Sequence, residues 1–265
     1  MSDSISYRGL RSEGVSSDIP LQTVARAFEV LDLLEREREA GPAEIAELMD
    51  VTRSTAHDYL VSLEATGFVV REAGTYRISY RFLERGSLLK YRNRYFHSSD
   101  VVLRKLSEQS DELAQLGQEE AGDWVMLHEE GDLTSVQTGT YPGFRTPLHS
   151  HAAGKVLLAH LPDERVDELL DVDELAAVTE HTVTDPAVLR EELETITDQG
   201  YAIDREEQVI GIGFVSCPVI EDTELLGSVS VACPTGRLEQ DEYRAELIQN
   251  VRAAAEEIAV NYRFY

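Results

Sequence analysis

The chain has 265 residues, a net charge of −26 and two cysteines. At roughly 100–200 residues per domain this is a two-domain length, with enough chain to bury a core without staples. Two thiols, Cys217 and Cys233, exclude a disulfide framework and fit a reducing cytoplasm. No apolar run reaches the roughly 18 residues that cross a bilayer, and Met1–Asp18 lacks the apolar core of a signal peptide.

In chain order, residues 1–19 are rich in Ser, Gly and Asp and read as a flexible arm. Residues 20–81 carry the pattern of a winged helix-turn-helix. A first helix is expected from Pro20 to Arg36, with Val24, Ala27, Phe28, Leu31 and Leu34 at helical spacing and Pro20 in its first turn. Gly41–Pro42 breaks the chain. A short second helix should bury Ile45, Ala46, Leu48 and Met49. A third is expected from Arg53 to Thr66, capped by Thr52 and stopped by Gly67, with Ala56, Tyr59, Leu60 and Leu63 inward. Strands Phe68–Arg71 and Tyr76–Ser79 form a hairpin through Ala73–Gly74.

Residues 82–265 read as a linker helix and a larger α+β domain. Residues 81–95 are basic and helix-compatible. Helices are expected over 99–114, 152–161, 163–170, 186–199 and 239–261, and strands near 116–121, 124–129, 133–138, 201–206, 212–219 and 225–232.

Charge is spread unevenly over these parts. Residues 1–95 hold 13 Lys/Arg against 15 Asp/Glu, a net of −2; residues 96–265 hold 11 against 35, a net of −24. Such asymmetry favours nucleic acid as the partner of the first part. Only Lys90, Lys105 and Lys155 are lysines, so 21 of the 24 basic residues are arginine. Abundant carboxylate with scarce lysine resembles the proteins of extreme halophiles.

The expected motif has the parts that reading a duplex needs. Ala46 is small where two helices cross, and Asp50 takes the turn position usually held by glycine, near the left-handed region. Arg53, Ser54, Thr55, His57 and Asp58, after Thr52, face outward. Arg53 reaches guanine or phosphate, and short donors at a helix N-terminus favour phosphate. Arg71 and Arg77 flank the wing and are candidates to grip the adjacent backbone. A plain three-helix core with a solvated polar face is the alternative; the wing and the charge asymmetry argue against it.

Val24–Phe28, Ile45–Leu48, Ser54–His57 and Ser62–Val69 resemble the IclR family of transcription regulators. So do Pro147–His149, Ala153–Ala159, Gly200–Asp204, Cys217–Val219 and Ser228–Ser230 in the second part. The resemblance implies a winged helix-turn-helix, a linker helix and a GAF-like effector domain with a mixed sheet. It also implies homodimers that often pair into homotetramers, a DNA operator and a small-molecule effector. One departure stands in the third helix: where the family commonly has a basic residue after His57, this chain has Asp58, which repels phosphate. A ligand-binding oligomer whose motif no longer reads DNA is the alternative that Asp58 favours.

The resemblance further implies that effector sits at the helix N-terminus Ala152–Ala153–Gly154, with Asp204 and Ser230 as pocket residues. Phe214 stands where the family often has a cysteine, and Ala232 where it often has a second serine. Backbone N–H groups at Ala153–Gly154 favour an anionic ligand end. His149–Ser150–His151 and His128 supply imidazoles, but zinc needs a fuller ligand set and the cysteine position is Phe214, so no metal or other cofactor is expected. Catalysis is not expected either. Gly154–Lys155 lacks a preceding glycine-rich loop, Gly211–Ile212–Gly213 lacks a third glycine, and no Gly-x-Ser-x-Gly elbow occurs. Asp204, Glu206 and Glu207 read as one pocket residue and a solvated edge.

Overall fold

Thr52 and Gly67 fix the third helix at both ends. The computed structural model describes residues 19–131, 139–172 and 175–265. The arm over 1–18 and the strand expected over 133–138 lie outside them. The first compact unit runs to Leu89 and contains α1 (Gln22–Glu37), α2 (Pro42–Leu48), α3 (Arg53–Thr66), β1 (Val69–Glu72) and β2 (Thr75–Ile78). The Thr52 hydroxyl accepts from the Thr55 N–H at 3.2 Å, and Gly67 ends α3 at φ +79°. Asp50 takes φ +53°, the left-handed turn its position requires, and the Val51 N–H returns to the Ala46 carbonyl at 3.0 Å. Ala40 bridges Tyr76 and widens the wing hairpin.

The core of this unit gathers Val30, Leu34, Ile45, Ala56, Leu60, Val69 and Tyr76. It corrects the expected face of α1. Val24 is 49% exposed and Phe28 60%, while Ala25, Val30, Leu31, Leu33 and Leu34 are buried. The helix has two apolar stripes, and periodicity alone cannot say which one faces the core. Pro20 lies outside the helix, before the cap residue Leu21, and Leu48 is exposed.

The linker helix α4 (Arg81–Arg92) buries no residue and spans the division between the units; the second unit starts at Lys90. There Asn93 caps α5 (Arg94–Ser110) by accepting from the Phe96 N–H. The helix expected at residue 99 therefore begins five residues earlier. A six-stranded sheet follows in the order β5-β4-β3-β8-β7-β6. Its strands are β3 (Leu113–Glu120), β4 (Asp123–Glu130), β5 (Arg145–Pro147), β6 (Ala202–Arg205), β7 (Ile212–Glu221) and β8 (Glu224–Pro234). Every neighbouring pair is antiparallel, so the sheet is not mixed as the resemblance implied. The physical reason is local: tight turns at Ala121–Gly122 and Asp222 fold β3 onto β4 and β7 onto β8.

Strand alternation gives this sheet two unlike faces. Val215, Cys217, Val219, Val229, Val231 and Cys233 meet Leu103, Leu106, Val251 and Ile258 of α5 and α10 (Asp241–Tyr262) in one apolar core. The other face carries Phe214, Ser216, Ser228, Ser230 and Ala232, and is covered by α6 (Ala152–Leu158). α7 (Asp163–Leu170), α8 (Pro186–Gln199) and a short α9 (Thr235–Leu238) complete the unit.

Candidate functional site

The exposed end of α3 is built by its cap. Arg53, Ser54, His57 and Asp58 are exposed, while Thr55 is half-buried. Thr52 and Thr55 are partly spent on the helix start, their hydroxyl oxygens 2.9 Å apart. That leaves Arg53, Ser54, His57 and Asp58 as the side chains free to meet a partner. On the wing, Arg71 pairs with Tyr76 and Arg77 with Val70, so the two arginines lie on opposite faces of the hairpin. Arg71 stacks its guanidinium 5.6 Å from the Tyr76 ring centroid. Arg77 is held by Glu72 at 2.5 Å. A backbone approaching one face meets one of these arginines, not both.

In the second unit the expected pocket residues do converge. Register puts Asp204 opposite Phe214, Phe214 opposite Ala232 and Ser216 opposite Ser230, all on the α6 face. Asp204, Phe214, Ser230, Ala232, Ala152 and Ala153 are each at most 1% exposed. The N-terminus of α6 is already occupied: Asp204 Oδ2 accepts from the Ala152 N–H at 2.9 Å. Gly154 is a packing residue there, because a Cβ on it would lie 2.1 Å from the Leu148 carbonyl oxygen. Its N–H donates to the His151 carbonyl at 3.2 Å. The expectation that Ala153–Gly154 offers free donors is thus corrected at Gly154.

Burial sets the charge of this face. Loss of solvent pushes Asp204 up to about 8, with the Ala152 N–H pulling the other way. Loss of solvent, then the nearby Lys155 charge, pushes His151 down to about 3. Asp204 is therefore largely a neutral acid at pH 7 and His151 a neutral imidazole. His151 lies edge-on to Trp124, ring centroids 4.9 Å apart, and to Phe214 at 6.2 Å. Lys155 is fully buried, and its ammonium donates to Glu192 at 2.7 and 2.9 Å and to Glu207 at 2.8 Å.

Sequence reasoning missed Ser216, Trp124 and the Lys155 clamp. Ser216 had a signal: Ser216, Ser228 and Ser230 interrupt apolar strands at every second residue, which marks a polar face. Glu207 was expected at a solvated edge and is instead buried against Lys155, because β6 ends at Arg205 and alternation stops applying. His149 is used within the fold itself, its Nε2–H donating to the Ala176 carbonyl at 2.9 Å. Asp100, His128 and Glu130 bring ligand atoms within 4.8 Å of one another, but Lys90 and Arg104 already neutralise that group. Both cysteines are free, and burial pushes each thiol up to about 12, so they are packing residues.

Residues 23–73 match the IclR helix-turn-helix domain, and residues 92–260 match the family described as bacterial transcriptional regulator IclR C-terminal. A relative from Halobacterium salinarum, named probable HTH-type transcriptional regulator ArcR, is 32% identical over 91% of this chain and 93% of its own. The acetate operon repressor of Salmonella typhimurium is 29% identical over 91% of this chain and 90% of its own. The crystal structure of the Thermotoga maritima IclR is 30% identical with a TM-score of 0.77, covering 91% of this chain and 98% of that one. These matches account for both units. The chain belongs to the IclR family of DNA-binding transcription regulators.

Proposed function

We propose that the protein binds a two-fold operator as a homodimer or homotetramer, and that a small metabolite seated against the α6 face of the sheet modulates this binding. The observation that carries the reading is the pairing of an exposed, capped α3 with a second unit whose polar residues turn inward onto one sheet face. Arg53, Ser54, His57 and Asp58 read the duplex, while Arg71 or Arg77 touches its backbone. Asp204, Ser230 and Phe214 contact the effector, and residues 81–95 relay the change. A ligand shifts the DNA-binding equilibrium only by its differential affinity for the two states. Similarity to an acetate operon repressor supports targets in carbon catabolism. Exposed Leu21 at the cap of α1, Val24 and Phe28 on α1, and Leu83 and Leu89 on α4 supply apolar surface for self-association. The acid-rich, lysine-poor composition and the Halobacterium salinarum relative support life in high salt.

Genome-wide mapping of bound sites tests the reading, with Arg53→Ala as its control. The variant should fold normally and weaken operator binding by about 1–3 kcal/mol at fixed salt. Unchanged affinity of the variant for both operator and scrambled DNA would remove Arg53 from the interface.

A further inference from the structure

The α6 face of the sheet holds a group of polar atoms with a common chemistry. Asp204 Oδ1, Ser216 Oγ, Ser230 Oγ and both ring nitrogens of His151 have no hydrogen-bond partner among the described residues. Each of these residues is at most 1% exposed. Register sets Ser216 against Ser230 and puts Asp204 one strand away, opposite Phe214. One orphaned buried atom is a local defect; five on the same face are complementary to a polar guest.

Charge decides what kind of guest. The place an anion would take at the start of α6 is filled by Asp204, which accepts from the Ala152 N–H. Lys155 is the one buried Lys or Arg among the described residues, and Glu192 and Glu207 neutralise it. A carboxylate brought here would leave water without gaining a cation, which is strongly unfavourable. A hydroxyl donates and accepts at once, as the two serines, a neutral imidazole and a carboxylic acid also can. The Trp124 and Phe214 rings flank His151 and offer apolar surface for the C–H faces of a small ring.

Resting on the reading of this face as the effector site, we propose that the effector is an uncharged polyhydroxylated metabolite, a monosaccharide or its lactone, rather than a free acid. The hydroxyls of such a ligand satisfy Ser216, Ser230, His151 and Asp204 together, and it needs no counter-ion.

The test is calorimetric titration of the full-length protein with probe pairs that set a neutral sugar against a sugar acid of the same carbon skeleton: galactose and galacturonate, xylose and xylonate, glucose and gluconate, with gluconolactone as a neutral cyclic partner of gluconate. Aromatic acids and small oxo acids complete the set. The neutral member of at least one pair should bind roughly tenfold or more tightly than its acid. Ser216→Ala and Ser230→Ala should each weaken that binding by about fivefold or more. Thermal denaturation of both variants, which keep an apolar-compatible small side chain, checks that they fold. An acid that binds best, and is weakened by the same serine variants, overturns the ligand class and leaves the effector site standing. Binding by no probe at tens of millimolar, or binding indifferent to both serines, overturns the site as well.

Discussion

Asp204 is where burial has the largest chemical consequence. Its folded value, about 8, lies above the ordinary 3.8, so the folded protein holds a proton that the unfolded chain has released. Stability from this group is fully present below the unfolded value and is lost as pH rises through the folded one. His151 has the opposite sign: pushed from 6.5 to about 3, it stays neutral in the folded protein, and its penalty is confined to pH below 6.5. Between pH 6.5 and 8 His151 adds no slope, while Asp204 contributes one that lowers stability as pH rises. Asp204→Asn removes it, so its stability relative to wild type should improve by about 2 kcal/mol across that window. Urea denaturation at both ends measures this, and a constant difference would mean that Asp204 ionises normally in the fold. Asp204 was legible in the sequence because the Gly–Tyr–Ala–Ile–Asp run carries the resemblance. Its protonation was not, because that follows from burial under α6 and not from any neighbour in the chain.

At the scale of elements, α6 is held by a charge rather than by its length. Lys155 ties this seven-residue helix to Glu192 on α8 and to Glu207 beyond β6. Lys155→Ala leaves the Glu192 and Glu207 carboxylates without their shared cation and should cost about 3–5 kcal/mol in chemical denaturation. A loss under about 1 kcal/mol would show that the clamp is replaceable by water. The elements best read from the sequence are those with chemical end-stops. α3 has Thr52 and Gly67, and α8 has Asp185, whose side chain accepts from the Ala187 N–H, and Gly200; both match their expected limits. α7 also matches, with Pro162 before it. β5 is not legible in the sequence because three residues carry no period, and the start of α5 is masked by the basic run before its cap at Asn93. The packing face of α1 is only partly legible, because Val24 and Phe28 are apolar at the same helical spacing as the buried Leu31 and Leu34.

For the whole molecule, charge and self-association are the properties to measure. The first 95 residues are nearly neutral, and Asp58 is exposed on α3, the helix proposed to read DNA. Ordinary DNA binding weakens with salt at a log–log slope of about −0.9 per neutralised phosphate. This protein should show a shallow or positive slope in molar potassium salt, because it releases few cations or takes some up; a steep negative slope, as for a basic repressor, would contradict that. Val24→Glu combined with Phe28→Glu should shift the assembly toward monomer in light scattering, since these side chains are exposed and apolar in the single chain. An unchanged mass would move the interface elsewhere. The two-faced sheet adds a constraint on chain length. In β8, Ser228, Ser230 and Ala232 on the α6 face alternate one by one with Val229, Val231 and Cys233 of the core. Deleting a single residue there would turn the hydroxyls into the greasy layer and the valines toward α6. Between Ser228 and Cys233, length can therefore change only in pairs of residues if both faces are to stay in register, whereas single substitutions leave that register intact.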